Sequence, residues 1–394
     1  MIIIHTANKD EFEKEIKTGS YGRKSLERCG FIHCSDLDTY YLVAPNFKDD
    51  YTEKVILIID TERLNCEVKW EDGGGLDFPH IYGLLCQDAI IGVVRHLWSD
   101  EREWIPNDEL KEYAVMEKIK IFKTLNSSEY LSHIDTKEAE IDFINAISAN
   151  GENIYSVFYQ ESLVGLALAV EGRCAFLYIY IFPAYRHMGY GKAAALLLEK
   201  KLCACNPANI STCYRTDDLI AYAFAKDCGY IKEYSSDYMV YSGPCFEPEA
   251  IPVRQYKDED YSEAHSLYAE AFHLMRLSTG SFPNSVPEPP SEKGRKYWSE
   301  TTDERLIYLN GDEIVGYAHI EESKIGSVSV KTDCQNKGVG KSFVKYIINM
   351  LLDIGYENIS LYCVVGNDRA RHLYDELGFK QVYRNDYAKK KGTI

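Results

Sequence analysis

Along the last third of the chain the apolar positions change period several times, and each change marks an element. Residues 305–309 (RLIYL) and 313–320 (EIVGYAHI) are short runs rich in β-branched and aromatic residues, joined by Asn310-Gly311, a strong hairpin signal. Residues 325–330 (IGSVSV) alternate as a strand. From Gly340 onward Phe343, Val344, Ile347, Ile348, Leu351 and Leu352 recur at helical spacing, and Gly355 ends the run. Residues 358–365 (NISLYCVV) read as a strand, and 367–378 (NDRARHLYDELG) as a short helix closed by Gly378. Strands, helix, strand, helix is the order of a mixed α/β domain.

The same pattern occurs earlier. Gly189 and Gly191 lie 149 positions before Gly338 and Gly340. That offset also carries Ile181 onto Val330, Arg186 onto Gln335, Ala221 onto Ala370, Gly229 onto Gly378 and Tyr230 onto Phe379. Upstream, Val164-Gly165 matches Val315-Gly316 at a shift of 151, a two-residue difference that a hairpin loop absorbs. A register held this long is an internal duplication. The Pro/Gly-containing break GPCFEPEAIP (243–252) separates the copies. The expected plan is residues 1–113 as a separate N-terminal domain, 114–246 as the first copy and 251–394 as the second.

Composition narrows the function classes. The chain has 394 residues, 45 % hydrophobic and 13 % aromatic, enough for several cores and unlike a disordered chain. A net charge of −17 disfavours nucleic acid as a partner and favours cationic ones. None of the twelve cysteines forms a CxxC pair, so no metal site is expected. The start, MIIIHTANKDE, lacks a basic leader, and no apolar run approaches a membrane span. The expectation is a soluble cytoplasmic protein with reduced thiols and no membrane partner.

The candidate chemistry sits in the turn QNKGVG (335–340) between strand and helix, and in its counterpart RHMGYG (186–191). A helix N-terminus presents unpaired N–H groups and a partial positive charge, and glycine lets a phosphate approach the backbone. The spacing fits neither GxxxxGK[ST] nor GxGxxG.

Its context is more specific. Val330, Gln335, Gly338 and Gly340, followed by Asn367, Ala370, Leu373, Tyr374, Gly378 and Phe379, resemble the GCN5-related N-acetyltransferase (GNAT) family over nearly all of residues 251–394. The resemblance implies an α/β (α+β) fold: two tandem acyl-CoA N-acyltransferase folds, each a mixed, mostly antiparallel twisted sheet flanked by helices. It implies acetyl-coenzyme A as cofactor, with Val330, Gln335, Asn336, Lys337, Gly338, Val339, Gly340, Lys341 and Asn367 holding it, and a splayed gap beside 358–365 admitting the thioester. It implies an N-acetyltransferase acting by direct attack of a primary amine, small-molecule or peptide. Tyr374 is the expected acid, and Glu321, Glu322 and His319 are candidate bases. Residues 279–294, with four prolines, either wall the acceptor site or form a passive loop.

In the first copy, Arg186, Gly189 and Gly191 keep the cofactor turn, but Ala225 stands where Tyr374 does and Asp218 where Asn367 does. This copy is expected to be catalytically degenerate, unless Tyr214 or Tyr222 substitutes. A tandem pair could also replace the homodimer that single-domain members form; monomer and homodimer both stay open.

Residues 1–113 carry GFIHCS (30–35), FPHIYG (78–83) and KWE (69–71), and resemble domain-of-unknown-function family 952. That family is distantly similar to the ADP-ribosyltransferase fold, small and mostly β. His5, His33, His80, Ser35 and Tyr82 either line a polar pocket or fix the fold as buried histidines. A competing reading makes the whole chain a non-catalytic coenzyme A sensor or scaffold, with the N-terminal domain as its output.

Overall fold

A computed structural model describes residues 1–124, 128–137, 139–140, 143–144 and 153–392. Contacts gather the chain into two units: residues 1–208 with the last three, and residues 209–391. No helix among the described residues is long and apolar enough to cross a membrane.

The first unit opens with a small β domain. Strand β1 (Ile2–Asn8) pairs antiparallel with β3 (Lys54–Asp60), which pairs with β6 (Ile90–Arg95). A second sheet runs β2 (Ile32–His33), β5 (Asp77–Ile81), β4 (Val68–Asp72). The strands β1 and β3 are apolar on both faces because each face has its own core. Ile2, Ile4, Ile56 and Ile58 pack to one side, and Ile3, Leu57 and Ile59 to the other.

Two histidines are buried here in neutral form. His5 Nδ1 donates to the His33 carbonyl at 2.6 Å, and burial pushes its pKa down to about 4. Burial, then Lys54 and Arg102, likewise holds His96 at about 4, among the rings of Tyr40, Phe47, Trp98 and Trp104. Both pKa values lie below that of a free imidazole. Each histidine therefore stabilises the fold above about pH 6.5, and that stability is lost as pH falls toward 4. Thermal melts of the full chain should show an early transition weakening across that window, and His96→Phe should flatten the loss. A melt insensitive to pH there contradicts the assignment.

Helix α1 (Asp108–Lys118), capped by Asn107 accepting from the Glu109 amide, leads into an antiparallel meander. Its strands are β7 (Ile119–Lys123), β8 (Ile154–Tyr159), β9 (Ser162–Val170) and β10 (Cys174–Ile181). Helix α2 (Tyr190–Cys203) completes the unit.

The second unit begins inside the first copy of the repeat. It takes in β11 (Asn209–Arg215), α3 (Leu219–Asp227) and β12 (Ile231–Tyr241). The second copy follows: β13 (Val253–Gln255), α4 (Tyr261–Ser278), α5 (Glu292–Glu300), β14 (Arg305–Asn310), β15 (Glu313–Glu321), β16 (Lys324–Val330), α6 (Val339–Ile354), β17 (Ile359–Val364), α7 (Asp368–Leu377) and β18 (Lys380–Lys391). Within this unit the sheet order is β11-β18-β12-β17-β16-β15-β14-β13. Only β16 and β17 run parallel; every other pair is antiparallel.

The two copies exchange their last strands. β12, from the first copy, lies between β17 and β18 of the second, and β18 lies between β11 and β12 of the first. Contacts therefore divide the chain elsewhere than the repeat does. The apolar stripe of α6 (Phe343, Val344, Ile347, Ile348, Leu351) packs on Leu306, Ala318, Ile325 and Leu361. On the opposite sheet face, α4 and α5 cover Ile307 and Tyr317 with Tyr261, Leu267 and Trp298.

Candidate active site

The turn of the second copy is built by its side chains and left open by its backbone. Gln335 Nε2 donates to the Val330 carbonyl at 2.8 Å, tying the turn to the end of β16, and Arg369 donates to Gln335 Oε1. Asn336 (φ 59°) and Gly338 (φ 87°) are left-handed, and a Cβ on Gly338 would meet nothing within 4 Å. Among the described residues, the amides of 336–341 have no acceptor in the protein. They converge where α6 begins and form a cradle for an anion. Lys337 and Lys341 flank it, the latter also paired with Glu376 at 3.0 Å.

Beside this turn the sheet comes apart. β16 and β17 are bonded only at Lys324↔Ser360 and Ile325↔Leu361. The register of β15 with β16 then shifts between His319 and Ile320, a bulge at Gly326. Beyond it, 326–330 and 362–364 share no ladder, leaving an unpaired strand edge in the gap. This is the splay expected from the resemblance.

Tyr374 reaches the splayed segment from the α7 side. It packs on the cluster containing Ile325, Val328, Leu361 and Cys363, with its ring edge-on to Phe379 at 5.6 Å. Burial raises its pKa, so the phenol stays protonated at neutral pH. Among the described residues its hydroxyl has no hydrogen-bond partner, which leaves that proton available.

Asn367 has a structural task of its own. Its side chain caps α7 by accepting from the Ala370 amide at 3.4 Å. Asp218 caps α3 in the same way, accepting from Ile220 and Ala221 at 3.1 and 2.9 Å. Asparagine and aspartate are both good N-caps, so the capping role is kept in both copies.

The three base candidates separate. Glu321 pairs with Lys324 at 2.5 Å, which holds its carboxyl below the usual range, and Glu322 (φ 51°) is exposed at the hairpin tip. Both lie on the closed side of the β16–β17 ladder. His319 lies opposite Ser327, on the open side, with Nδ1 3.0 Å from where a Gly326 Cβ would stand. Its Nε2 is 3.0 Å from Glu304, a carboxylate that orients the ring and that the sequence reading missed.

In the first copy the turn has the same backbone and other neighbours. His187 (φ 61°) and Gly189 (φ 82°) repeat the left-handed positions, and Arg186 Nε donates to the Ile181 carbonyl at 3.0 Å, as Gln335 does to Val330. But Arg186 is also bound by Asp135 at 2.9 Å, and α1 abuts the turn. Val115 lies 3.8 Å from the Cβ position of Gly189, and Glu112 holds Lys192 at 2.6 Å. Gly191 starts α2 beside them. Lys192 is the counterpart of Lys341 and is likewise held by a carboxylate, but Met188 stands where the second copy has Lys337, and Val115 lies against the glycine. Ala225 is buried in α3, and Tyr222 meets Tyr214 edge-on at 6.2 Å.

The N-terminal domain brings some of its histidines together and not others. Glu71 accepts from His80 Nδ1 at 2.7 Å and from the Tyr82 hydroxyl at 2.8 Å, and His80 Nε2 meets His33 Nδ1 at 3.2 Å. With Glu71 ionised, the tautomers follow: His80 Nε2 accepts, His33 Nδ1 donates, and His33 Nε2 carries an outward lone pair. Phe31 packs on all three rings. His5 instead faces Tyr21, and Ser35 is buried against Ile4. Glu71 lies in the segment KWE (69–71) that marks the resemblance, but its contact with His80 and Tyr82 comes only from the pairing of β4 with β5. No cluster able to hold a metal occurs among the described residues.

Comparison with known proteins agrees with this geometry. The acetyltransferase (GNAT) family model matches residues 119–230 and 271–379, more than half of the chain, and the model of a protein family of unknown function (DUF952) matches residues 6–93. A ribosomal protein bS18-alanine N-acetyltransferase of Haemophilus ducreyi is 26 % identical over 129 residues, 32 % of this chain and 79 % of the relative. A GCN5-related N-acetyltransferase from Sphaerobacter thermophilus superposes with TM-score 0.50 at 17 % identity, covering 71 % of this chain and 97 % of that one. A tandem GNAT protein from the clavulanic acid biosynthesis pathway gives TM-score 0.50 at 11 % identity, covering 70 % and 99 %. At such identities the structures speak for the fold alone. With its matched segments, its splayed sheet and its two glycine turns, the chain belongs to the GNAT acetyltransferase family, in tandem copies behind a DUF952 domain.

Proposed function

We propose that the chain is an acetyl-coenzyme A-dependent N-acetyltransferase whose working site is the second copy, residues 251–394. The observation that carries this reading is the coincidence of three features there: an open amide cradle at 336–341, an unpaired strand edge along 326–330, and an unpartnered, protonated Tyr374 beside the gap. The residues present fit the group, whose acetyl thioester is the donor when bound. The amides of 336–341 and Lys337 would hold its phosphates, and the free edge of β16 would offer hydrogen bonds to its amide arm. Tyr374 Oη gives a proton to the departing sulfur, and His319, oriented by Glu304, takes one from the amine. The first copy, with its turn abutted by α1 and Ala225 in place of a phenol, serves as a scaffold. The chain's similarity to a ribosomal protein bS18-alanine N-acetyltransferase supports a peptide amine as acceptor.

Thiol release from acetyl-coenzyme A with a panel of primary amines tests the reading; no release with any amine refutes it. A paired substitution tests the choice of copy. Gly338→Ala and Gly189→Ala both force an alanine into a left-handed N-cap and should cost similar stability, about 1–2 kcal/mol each. Only Gly338→Ala should raise KM for the thioester, by about tenfold or more, because only that turn holds phosphate. Equal effects on KM would return the first copy to a binding role.

One observation favours a second reading. The Glu71–His80–His33 chain ends on a solvent-facing base, which suits a separate chemistry in the N-terminal domain. Thermal stabilisation of the full chain by NAD or ADP-ribose, lost in His33→Ala, would support it.

A further inference from the structure

On the α4/α5 face of the second unit, one residue stands apart energetically. Arg305 is 1 % exposed, and its Nε and Nη1 have no hydrogen-bond partner among the described residues. The faces of its guanidinium lie 4.9 Å from the Trp298 ring and 5.3 Å from that of Tyr297, which leaves the in-plane N–H groups unserved. Three nearby carboxylates are paired elsewhere, Glu304 with His319, Asp260 with Arg254 and Asp258 with Arg295, and Glu288, which acts on His265 and Tyr268, is exposed. Two more polar atoms in the same cluster, Tyr256 Oη and His265 Nδ1, are also buried without partners. A buried charge is costly unless paired, and a group of unserved polar atoms calls for an ion, a ligand or water to complete it.

The register places this charge relative to the gap. Arg305 pairs with His319, and His319 with Ser327, so the three side chains form a row across β14, β15 and β16 ending at the splay. Two strand spacings separate Arg305 from Ser327, about 10 Å. Three extended peptide residues span about the same distance. Tyr297 is 55 % exposed and lies against the guanidinium, so its ring is the side chain that must swing aside to uncover Arg305.

Resting on the acetyltransferase reading above, we propose that Arg305 receives a carboxylate of the acceptor, so that the acceptor is a short peptide, or a peptide-like amine, bearing a carboxylate about three residues' length from its amino group. This reverses the expectation of a cationic acceptor drawn from the net charge. The overall charge describes the surface, whereas the buried charge left without a partner at Arg305 is positive.

The test uses the full chain with acetyl-coenzyme A and three acceptors: triglycine, triglycinamide and glycine. Triglycine should show a KM about tenfold or more below that of triglycinamide, the worth of one charge-assisted contact, and glycine should be poor because it is too short. Arg305→Met should erase the difference between the two tripeptides. That variant should melt at or above the wild-type temperature, since it removes an unpaired buried charge. Equal KM values for triglycine and triglycinamide in the wild type overturn the proposal while leaving the acetyltransferase reading intact. If no amine releases thiol, that reading fails, and thermal shift still decides the site: triglycine, not triglycinamide, should stabilise the wild type and not Arg305→Met, and no such shift overturns it.

Discussion

Tyr374→Phe should lower thiol release about a hundredfold or more, the usual worth of a positioned acid, and leave KM for the thioester nearly unchanged. The ring keeps its packing on Phe379 and the Ile325–Leu361 cluster, so the loss reads the hydroxyl alone. Arg186→Ala, in the turn of the first copy, should leave turnover close to wild type, since its contacts are with Asp135 and the Ile181 carbonyl. The reverse result, activity surviving without the Tyr374 hydroxyl and collapsing without Arg186, would place catalysis in the first copy.

The second large effect comes from a residue outside the second copy. Asp237, on β12, is buried and accepts from Arg371 Nη1 at 2.6 Å and from Arg384 Nε and Nη2 at 2.6 and 3.1 Å. Arg371 belongs to α7, three residues before Tyr374. Asp237→Ala leaves Arg384 without its buried carboxylate and Arg371 with Asp375 alone, at 2.9 Å, and should cost about 3 kcal/mol, the low end for a broken buried pair because the arginines are partly exposed. For a unit of this size that is a melting temperature lower by roughly 6–12 °C. Turnover should fall further than Asp237→Asn makes it fall, because the amide keeps the side chain's shape and one acceptor. A variant that melts and turns over like wild type would show that this network neither stabilises α7 nor places Tyr374.

Much of this was legible in the sequence because it is local or repetitive. The helical spacing of Phe343 to Leu352 gives α6, Asn310-Gly311 gives the β14–β15 hairpin, and the 149-residue register gives the duplication and both glycine turns. Tyr374 was legible through its motif. What escaped depends on pairing between distant residues. Nothing periodic in 231–241 says that this strand lies between β17 and β18, and nothing near Gly189 says that Val115 and Glu112 stand beside it. Glu304 and Glu71 are ordinary surface residues until the fold sets a histidine against each. Asn367 fits a motif and yet caps a helix, because motif positions record geometry as well as chemistry.

The strand exchange makes the first copy indispensable for a reason unrelated to chemistry. Without β11 and β12, β17 would become an open edge and β18 would have no partner on either side. A gene truncated to residues 251–394 would therefore encode an aggregation-prone fragment, not a smaller enzyme. Whatever its own turn does, the first copy thus supplies the second with Asp237 and with the two strands that close its sheet.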